Sequence, residues 1–384
     1  MPALIPREEF VGIEHVAHLA AGGETPVLRS HLGVAAQFLM DKGSGMPGRE
    51  RYAAATERAK TGLAELLGGQ PDEIALLAHA SEGLFVASQG LDWRPGDNVV
   101  VERVEFPSVL YTWQNLRPRG VEVRGVGAGP VPSLEEVARA VDRRTRVIAV
   151  SHVSYLTGAR HDLAALRKIA DAVGARLVVD ASHALGVVSV PGELCDVVVS
   201  CCYKWLLGVH GVGVFYVNSR RWPELDPPWV GWHSVAREED WRRRDGYRLK
   251  PSAERFEAGN LSFVGVYLLD NALQTLLRVG IARIEPYVLH LGGTLWRGLQ
   301  QLGLPLVTPE ADAARAGNIV FIAEHPVEIE RWLREAGVIS WAADGRVRLS
   351  VHAYNDETDV SRALAALAPF PGLDRLRALG RDAS

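Results

Sequence analysis

Short apolar runs rich in valine alternate with amphipathic helical patterns between about residue 48 and residue 275. The apolar runs, each bounded by turn residues, predict strands over residues 98–104, 121–126, 147–151, 176–180, 196–200 and 213–217. Helices are predicted between strands over residues 133–141 and 162–173, where apolar positions recur at helical spacing. Nearly continuous valine runs suit strands that are covered on both faces. The alternation therefore predicts an α/β fold with a mostly parallel sheet.

The pattern changes near Pro286, after which strand, helix, strand and helix patterns follow one another. We interpret residues 285–384 as a small C-terminal α/β domain and residues 26–284 as a large domain. Residues 1–25 are interpreted as an N-terminal segment that packs near the small domain. Residues 235–251 are rich in charged and aromatic side chains. This segment is typical of a solvated surface loop, and a lid or a subunit contact is the alternative.

Composition excludes several classes of function. The 384 residues carry 42 basic and 46 acidic side chains, which leaves no basic surface of the kind that binds nucleic acid. The uncharged run over residues 205–219 is broken by glycines and too short to cross a bilayer. No secretory apolar core is found at the N-terminus, so we expect a cytoplasmic protein. Three cysteines without a CxxC spacing indicate neither a disulfide framework nor a zinc site.

Lysine is rare in this chain, and one lysine stands in an unusual place. Only five of the 42 basic residues are lysines, and four of them have a simple explanation as solvated side chains: Lys42, Lys60, Lys168 and Lys250. Lys204 follows a buried type of strand and stands between Tyr203 and Trp205. A charged lysine there would carry a large desolvation cost unless it were paired or converted. This placement is typical of a lysine that forms a Schiff base.

Asp180 ends the preceding apolar strand and is followed by a sharp turn. Its carboxylate is therefore expected at the C-terminal edge of the parallel sheet, where ligands of open α/β sheets bind. If Lys204 holds a pyridoxal aldehyde, an anion such as Asp180 would keep the ring nitrogen protonated. Ala80 and Ser81 open an apolar helix whose N-terminus would suit a phosphate. By itself this short pattern is equally typical of an ordinary helix cap.

Together these residues resemble the class V aminotransferase family of pyridoxal-phosphate enzymes. The resemblance rests on four motifs in order: DASHALG (180–186), YKWLLG (203–208), GVGVFY (211–216) and RFEAG (255–259). It covers essentially the whole chain. It implies pyridoxal 5′-phosphate as cofactor and the fold type I architecture, with a large cofactor domain beside the small one. It also implies a homodimer whose active site lies at the subunit interface.

The resemblance assigns a role to each motif residue. Lys204 becomes the Schiff-base lysine, and Asp180 the partner of the pyridine nitrogen. The remaining cofactor contacts are His183 near the ring hydroxyl, Phe106 stacked on the ring, and Ala80, Ser81, Tyr203 and, from the other subunit, Asn260 at the phosphate. Three positions depart from the common pattern: Asn260 replaces a frequent Thr, Phe106 replaces the His of desulfurases, and Tyr155 replaces a frequent Asn near the ring oxygen.

A guanidinium is the side chain best suited to fix the substrate carboxylate, because it can donate two parallel hydrogen bonds. Arg346 and Arg348 both lie in the predicted strand GRVRLSV. Strand alternation places them on the same face and cannot choose between them. The family pattern indicates Arg348.

The reaction is predicted less closely than the cofactor. All three cysteines lie between residues 195 and 202, and none lies in residues 336–344, where a desulfurase would carry its persulfide cysteine. We therefore do not expect a desulfurase. Removal of the α-proton of an amino acid by Lys204 could lead to transamination, to epimerisation or to loss of a β-substituent. We favour a carbon–sulfur lyase of specialised metabolism that acts on an S-substituted cysteine, over an aminotransferase or epimerase. A catalytically silent cofactor-binding regulator is a further alternative.

Overall fold

The computed structural model describes residues 1–127, 133–236 and 246–382. In these residues the strands, numbered in chain order, are β1 (Ala17–His18), β2 (Ile74–Leu77), β3 (Asn98–Glu102), β4 (Glu122–Val126), β5 (Thr145–Ser151), β6 (Arg176–Asp180), β7 (Val197–Cys201), β8 (Gly213–Val217), β9 (Asn318–Ile322), β10 (Val338–Ile339), β11 (Trp341–Ala343) and β12 (Arg346–Ser350). The α-helices are α1 (Ser30–Gly43), α2 (Gly48–Leu67), α3 (Ala80–Gln89), α4 (Pro107–Gln114), α5 (Leu134–Ala140), α6 (Leu163–Val173), α7 (Phe263–Val279), α8 (Ile281–Gln301), α9 (Pro326–Glu335), α10 (Glu357–Leu367) and α11 (Leu373–Asp382).

The central sheet has seven strands in the order β2-β8-β7-β6-β5-β3-β4. Strands β4, β3, β5, β6 and β7 run parallel to one another, and β8 is antiparallel to both of its neighbours. The predicted α/β fold with a mostly parallel sheet is therefore confirmed. Two predicted strands, β6 and β8, match the structure residue for residue. Strand β2 was not predicted, because its four apolar residues are too few to show a periodicity.

Helices cover both faces of this sheet, which explains the valine runs. In β6, for example, Leu177 and Val179 pack into one core cluster and Val178 packs into the other. Helices α2, α6 and α7 contribute to the first cluster, whereas α3 and α4 contribute to the second. Alternate residues of a strand point to opposite faces, so a strand buried on both sides needs apolar residues at nearly every position.

The C-terminal part of the chain forms a separate antiparallel sheet in the order β11-β12-β9. Helix α8 continues through Pro286, which stands in its second turn. The proposed division between residues 284 and 285 thus falls inside a helix. A proline suggests a break in a sequence pattern because it removes one helical hydrogen bond, but near a helix start that loss is tolerated. The partition into domains stays a prediction.

The N-terminal segment lies against the C-terminal sheet region. Strand β1 pairs in parallel with β10, and the backbone amides of Leu4 and Ile5 both donate to the carbonyl of Ala353. Arg7 forms an ion pair with Asp359 at 2.6 Å. At its other end this segment reaches the loop of the candidate lysine, as described below.

Of the charged segment 235–251, residues 237–245 lie outside the described part of the chain. The residues on either side approach each other through an antiparallel bridge between Val235 and Leu249. Among the helices described, none has the length and apolar character needed to cross a membrane.

Candidate active site

A cavity opens at the C-terminal edge of the central sheet. Strand β6 ends there with Asp180, and the loop that follows β7 carries Lys204. The cavity is lined by His79, Ala80, Ser81, Phe106, Ser108, Ser151, Val153, Tyr155, Asp180, Ser182, His183, Cys201, Tyr203 and Lys204. Parallel strands bring their carboxyl ends to one edge, so residues distant in sequence meet there. All the predicted cofactor contacts except Asn260 are thus brought together.

Lys204 is held in a buried turn with its amine directed into this cavity. The side chain is 8% exposed, and Nζ lies 3.1 Å from Nε2 of His183. The Phe106 ring centroid lies 5.5 Å from the same atom. On the backbone side, the hydroxyl of Thr25 donates to the Lys204 carbonyl at 2.9 Å. The N-terminal segment therefore helps to hold the lysine loop in place.

Gly186, the last residue of the DASHALG motif, makes room for the same loop. A β-carbon at this position would lie 2.3 Å from the carbonyl oxygen of Trp205. The backbone φ of Gly186 is +103°, a value that other residues rarely adopt. Both constraints require glycine, so this motif position serves the close packing of the two loops that carry Asp180 and Lys204.

Asp180 is a buried carboxylate whose charge is only partly compensated. Its Oδ1 accepts a hydrogen bond from the backbone amide of Ser182 at 2.8 Å. No described cation lies within ion-pair distance of it. Burial raises the pKa of Asp180, although Ser182 and the nearby charge of Lys204 oppose the rise. A protonated ring nitrogen would supply the missing positive partner, so the site fits the predicted role.

His183 is completely enclosed and contacts polar groups on both ring nitrogens. Nε2 faces Lys204, and Nδ1 receives a hydrogen bond from Nδ2 of Asn318 at 2.9 Å. Burial, followed by the charges of Lys204 and Arg348, holds the pKa of His183 well below its usual range. The imidazole is therefore neutral at physiological pH. A neutral ring suits a hydrogen bond to a hydroxyl or phenolate oxygen better than an ion pair.

The predicted phosphate end of the cavity lies at the start of α3. His79 caps this helix by accepting the amide of Glu82 at 3.0 Å, and the hydroxyl of Ser81 donates to that of Ser108 at 2.8 Å. The first turn of a helix presents amides that suit an anion. Burial raises the pKa of Tyr203 to about 12, which keeps its hydroxyl available as a donor.

Arg348 is buried in the middle of β12, whereas Arg346 begins that strand and is partly exposed. Only 2% of Arg348 is accessible. Its guanidinium lies 4.4 Å from the ring centroid of Trp341 and donates to the carbonyl of Tyr155 at 2.6 Å. Within the described residues it has no carboxylate partner. Burial lowers the pKa of Arg348 to about 9, so an anion binding beside it would be strongly stabilised.

Asn260 lies apart from the cavity. It is exposed and lines a broad surface groove together with Tyr52, Trp232 and Phe263. No residue of the cavity lining is shared with this groove. Within a single chain, Asn260 is therefore not part of the cavity lining that contains Ala80.

One interpretation of the lysines was wrong. Lys60 was expected to be solvated, yet it is 2% exposed and pairs with Glu257 at 3.0 Å and with Glu254 at 3.3 Å. Glu257, a member of the RFEAG motif, also accepts the amide of Leu76 at 2.9 Å. The polar helical pattern around Lys60 could not show that α2 packs this side chain against the buried carboxylate of Glu257. Lys250 likewise pairs with Glu254 at 2.8 Å.

Several cavity residues were not identified from the sequence. Ser151 and Ser182 line the cavity at the ends of β5 and β6, where the same rule that selected Asp180 would have found them. Cys201 also lines the cavity, at the end of β7. Asn318 comes from β9 in the C-terminal sheet, and no local pattern connects it with His183.

A buried carboxylate, Glu105, lies behind the cavity wall. It accepts hydrogen bonds from the Ser151 hydroxyl at 2.6 Å and from the Phe106 amide at 2.9 Å. Burial, followed by the charge of Glu102, raises the pKa of Glu105 to about 7 and outweighs these hydrogen bonds. Glu105 is thus expected to bind a proton in the folded protein at pH values where it is ionised in the unfolded chain.

Because Glu105 binds this proton only in the folded protein, the free energy of unfolding is expected to depend on pH. A raised pKa stabilises the fold at low pH, and the contribution is lost as pH rises from about 5 through about 7. Relative to Glu105→Gln, the free energy of unfolding of the parent protein should fall by about 1.4 kcal/mol per pH unit in this range. Urea unfolding of both proteins at several pH values measures this difference. Parallel pH profiles would show that Glu105 titrates normally.

Comparison with known proteins relates this site to a family. The sequence model described as Aminotransferase class-V matches residues 43–363. The chain belongs to the class V aminotransferase family. The resemblance in the motifs is thereby confirmed, and with it the expected cofactor of the family, pyridoxal 5′-phosphate.

Relatives and solved structures in this family carry different names. A probable cysteine desulfurase of Methanothermobacter thermautotrophicus is 33% identical over 235 residues, covering 60% of this chain and 58% of the relative. The chain thus spans less than two thirds of that relative. An uncharacterized aminotransferase of Bacillus subtilis, YcbU, is 28% identical, covering 82% of this chain and 83% of the relative.

Two solved structures of this fold are similar over nearly the whole chain. The apo cysteine desulfurase of Thermococcus onnurineus NA1 has a TM-score of 0.86 at 22% identity, covering 98% of this chain and all of its own. The cystine C–S lyase C-DES, in complex with cysteine persulfide, also has a TM-score of 0.86 at 22% identity, covering 94% of this chain and 99% of its own. These similarities confirm the predicted fold type I architecture.

Proposed function

We propose that this protein is a pyridoxal-phosphate-dependent carbon–sulfur lyase that acts on an S-substituted L-cysteine. The observation that carries this proposal is the hairpin of β11 and β12 at the candidate substrate arginine. Trp341 pairs with Arg348 across this hairpin, and Ala343 pairs with Arg346. Only Asp344 and Gly345 therefore connect the two strands. There is no room in such a turn for a mobile cysteine loop, so sulfur transfer to the protein is not expected.

The cysteines of the chain support this choice. Cys195, Cys201 and Cys202 are all buried, and burial raises the pKa of each thiol. Buried thiols that stay protonated are poor nucleophiles. Some relatives are named cysteine desulfurases, and we propose that this protein differs from them in lacking that activity. The name of C-DES shows that the fold can also serve a cystine C–S lyase.

The proposal assigns the cofactor to the groups around the cavity. Lys204 would bind its aldehyde, and Asp180 would pair with its ring nitrogen. Phe106 offers a ring face beside the lysine amine, and Ala80 and Ser81 offer helix amides to the phosphate. When bound, the cofactor supplies an electron sink that stabilises negative charge at the α-carbon of an amino acid.

The substrate would be held by the guanidinium of Arg348 and deprotonated by the amine nitrogen of Lys204. Arg348 would bind the α-carboxylate, because it is buried without a carboxylate partner among the described residues. Lys204 Nζ would take the α-proton, acting as the general base. The electron pair left on the α-carbon would expel the β-sulfur as a thiolate, which is a competent leaving group. Hydrolysis of the remaining enamine would give pyruvate and ammonia.

We also propose that the protein is a homodimer in which Asn260 serves the partner's phosphate site. Asn260 is exposed on a groove separate from the cavity, which is the arrangement expected if it acts across a subunit interface. Lys60 and Glu257 support the backbone just before Asn260, because their buried ion pair ties α2 to the RFEAG motif. The position of Asn260 is therefore defined by packing even though its side chain is exposed.

The function is tested by following the absorbance of the cofactor-loaded protein while S-substituted L-cysteines and other small L-amino acids are added singly. A lyase keeps its yellow form and continuously releases thiol, ammonia and pyruvate. The Lys204→Ala protein serves as the blank. Pyruvate is measured with lactate dehydrogenase and thiol with a chromogenic disulfide.

Other outcomes contradict the lyase and identify the alternatives. Conversion to a stable colourless form, with one keto acid released per site, would indicate an aminotransferase. Loss of optical activity without release of product would indicate an epimerase. Formation of alanine from L-cysteine together with a persulfide on the protein would indicate a desulfurase. A protein that turns yellow but leaves every amino acid unchanged would fit the silent regulator.

A further inference from the structure

Asn318 is a fully buried polar residue that contacts His183 from the side opposite to Lys204. It begins β9 of the C-terminal sheet and donates from Nδ2 to Nδ1 of His183 at 2.9 Å. The Oδ1 atom accepts a hydrogen bond from the hydroxyl of Ser350 at 2.8 Å. Ser350 and Asn318 are cross-strand partners in β12 and β9. A continuous hydrogen-bonded chain therefore runs from the C-terminal sheet to the amine of Lys204.

The electrostatic surroundings orient the amide of Asn318. Gly22 lies beside both groups and so relates their positions. A β-carbon built on this glycine would lie 2.7 Å from the amide oxygen of Asn318 and 3.0 Å from Nε of Arg348. The oxygen therefore lies on the same side as the buried guanidinium, whose positive charge attracts it. The amide nitrogen is left to face His183. Because an amide nitrogen only donates, Nδ1 of His183 must accept and cannot carry a proton.

We propose that Asn318 is a positioning residue that fixes His183 as the neutral tautomer with its proton on Nε2. The link to catalysis rests on the proposed function. His183 is buried between the Asn318 amide and Lys204, and of the two neutral tautomers only this one accepts from the Asn318 amide nitrogen. The remaining N–H is then directed at Lys204, 3.1 Å away.

This tautomer has a consequence for the lysine. The Nε2–H is a donor that faces Nζ of Lys204 across 3.1 Å, and Nζ is the atom that attacks an aldehyde. When the lysine is engaged by the cofactor, the same N–H remains available to the ring oxygen that the family motif places near His183.

The proposal is tested by nitrogen-15 NMR of histidine-labelled protein, first without cofactor. Long-range proton–nitrogen correlations distinguish a protonated ring nitrogen from an unprotonated one. We expect His183 to show an unprotonated Nδ1 and a protonated Nε2 throughout the neutral pH range. The signal is assigned by its loss in His183→Gln. A protonated Nδ1 in the parent protein would overturn the proposal without any variant.

The Asn318→Asp substitution keeps the size of the side chain and replaces the donor that faces His183 with an acceptor. A carboxylate can still accept from Ser350, but toward His183 it can only accept, so Nδ1 should become protonated. Asn218→Asp is the matched control, because Asn218 is also buried but lies just after β8 and away from the cavity. The control should leave the His183 signals unchanged. An unchanged tautomer in Asn318→Asp would show that Asn318 does not determine it.

A second measurement connects the tautomer to Lys204. Uptake of pyridoxal 5′-phosphate by the cofactor-free protein, followed as the growth of yellow absorbance, should be slowed roughly 2- to 10-fold in Asn318→Asp, the factor that one ordinary hydrogen bond is worth. Equal rates in both proteins would contradict the effect on the lysine. A parent protein that shows the expected tautomer but never turns yellow would contradict the proposed function alone. The two failures are therefore distinguishable.

Discussion

Replacing Lys204 by alanine is expected to abolish turnover and to remove the adduct that borohydride fixes between protein and cofactor. The side chain has two proposed tasks, holding the cofactor and moving the α-proton. Loss of a general base alone costs roughly 10²- to 10⁴-fold in rate. Activity should fall by at least this factor. Mass spectrometry of the reduced, digested protein measures the adduct, and release of pyruvate and thiol measures turnover.

Lys168→Ala is the matched control for this experiment. Lys168 lies in α6, outside the cavity lining, and its loss should leave both the adduct and the activity unchanged. A reduced adduct that persists in Lys204→Ala would show that another lysine binds the cofactor. Retained turnover in Lys204→Ala would exclude it as the base.

Exchange of Arg348 for alanine should weaken binding of the amino acid while leaving the cofactor in place. A hydrogen bond to a charged group contributes about 1.5–3 kcal/mol, so KM should rise roughly 10- to 100-fold. The interaction that is lost joins the guanidinium to the substrate carboxylate. It forms when the substrate binds and persists during the chemical step. Steady-state kinetics with an amino acid and with its carboxamide separate this effect. The carboxamide should bind nearly equally to both proteins.

Arg346→Ala distinguishes the two candidate arginines. Arg346 begins β12, is partly exposed and donates to the carbonyl of Asp344 at 2.9 Å. We expect a much smaller change in KM for this variant. Because Arg348 is buried, Arg348→Lys and the visible spectrum of the bound cofactor serve as checks on folding. An unchanged KM in a folded Arg348→Ala protein would move the carboxylate contact to Arg346 or to another residue.

The sequence predicted the layered fold because its evidence is local. Valine runs and helical periodicity are properties of five to fifteen neighbouring residues. A strand that is buried on both faces shows this directly, because nearly every one of its positions is apolar. The place of Asp180 and of Lys204 followed from the same logic, since each comes at or just after the end of such a strand. A parallel sheet gathers these ends at one edge whatever the details of packing.

Local sequence patterns could not predict the surroundings of two groups of residues. Lys60 belongs to a helix with polar composition, and its burial depends on two glutamates almost 200 residues away. Arg346 and Arg348 share a strand face in the sequence pattern. Both pair with β11 and β9, but Arg348 lies in the middle of β12 and is buried, whereas Arg346 lies beside the turn at the start of the strand.

By itself the sequence determined the α/β architecture, the motifs of the family and the placement of Lys204 and Asp180 at one edge of the sheet. These follow from the chemistry of single residues and from the short periods of strands and helices. Only the tertiary structure decided which buried groups face one another. It brought Asn318 of the C-terminal sheet against His183, and it buried Arg348 without a carboxylate among the described residues. Such contacts join parts of the chain separated by more than a hundred residues, and no local periodicity of the sequence indicates them.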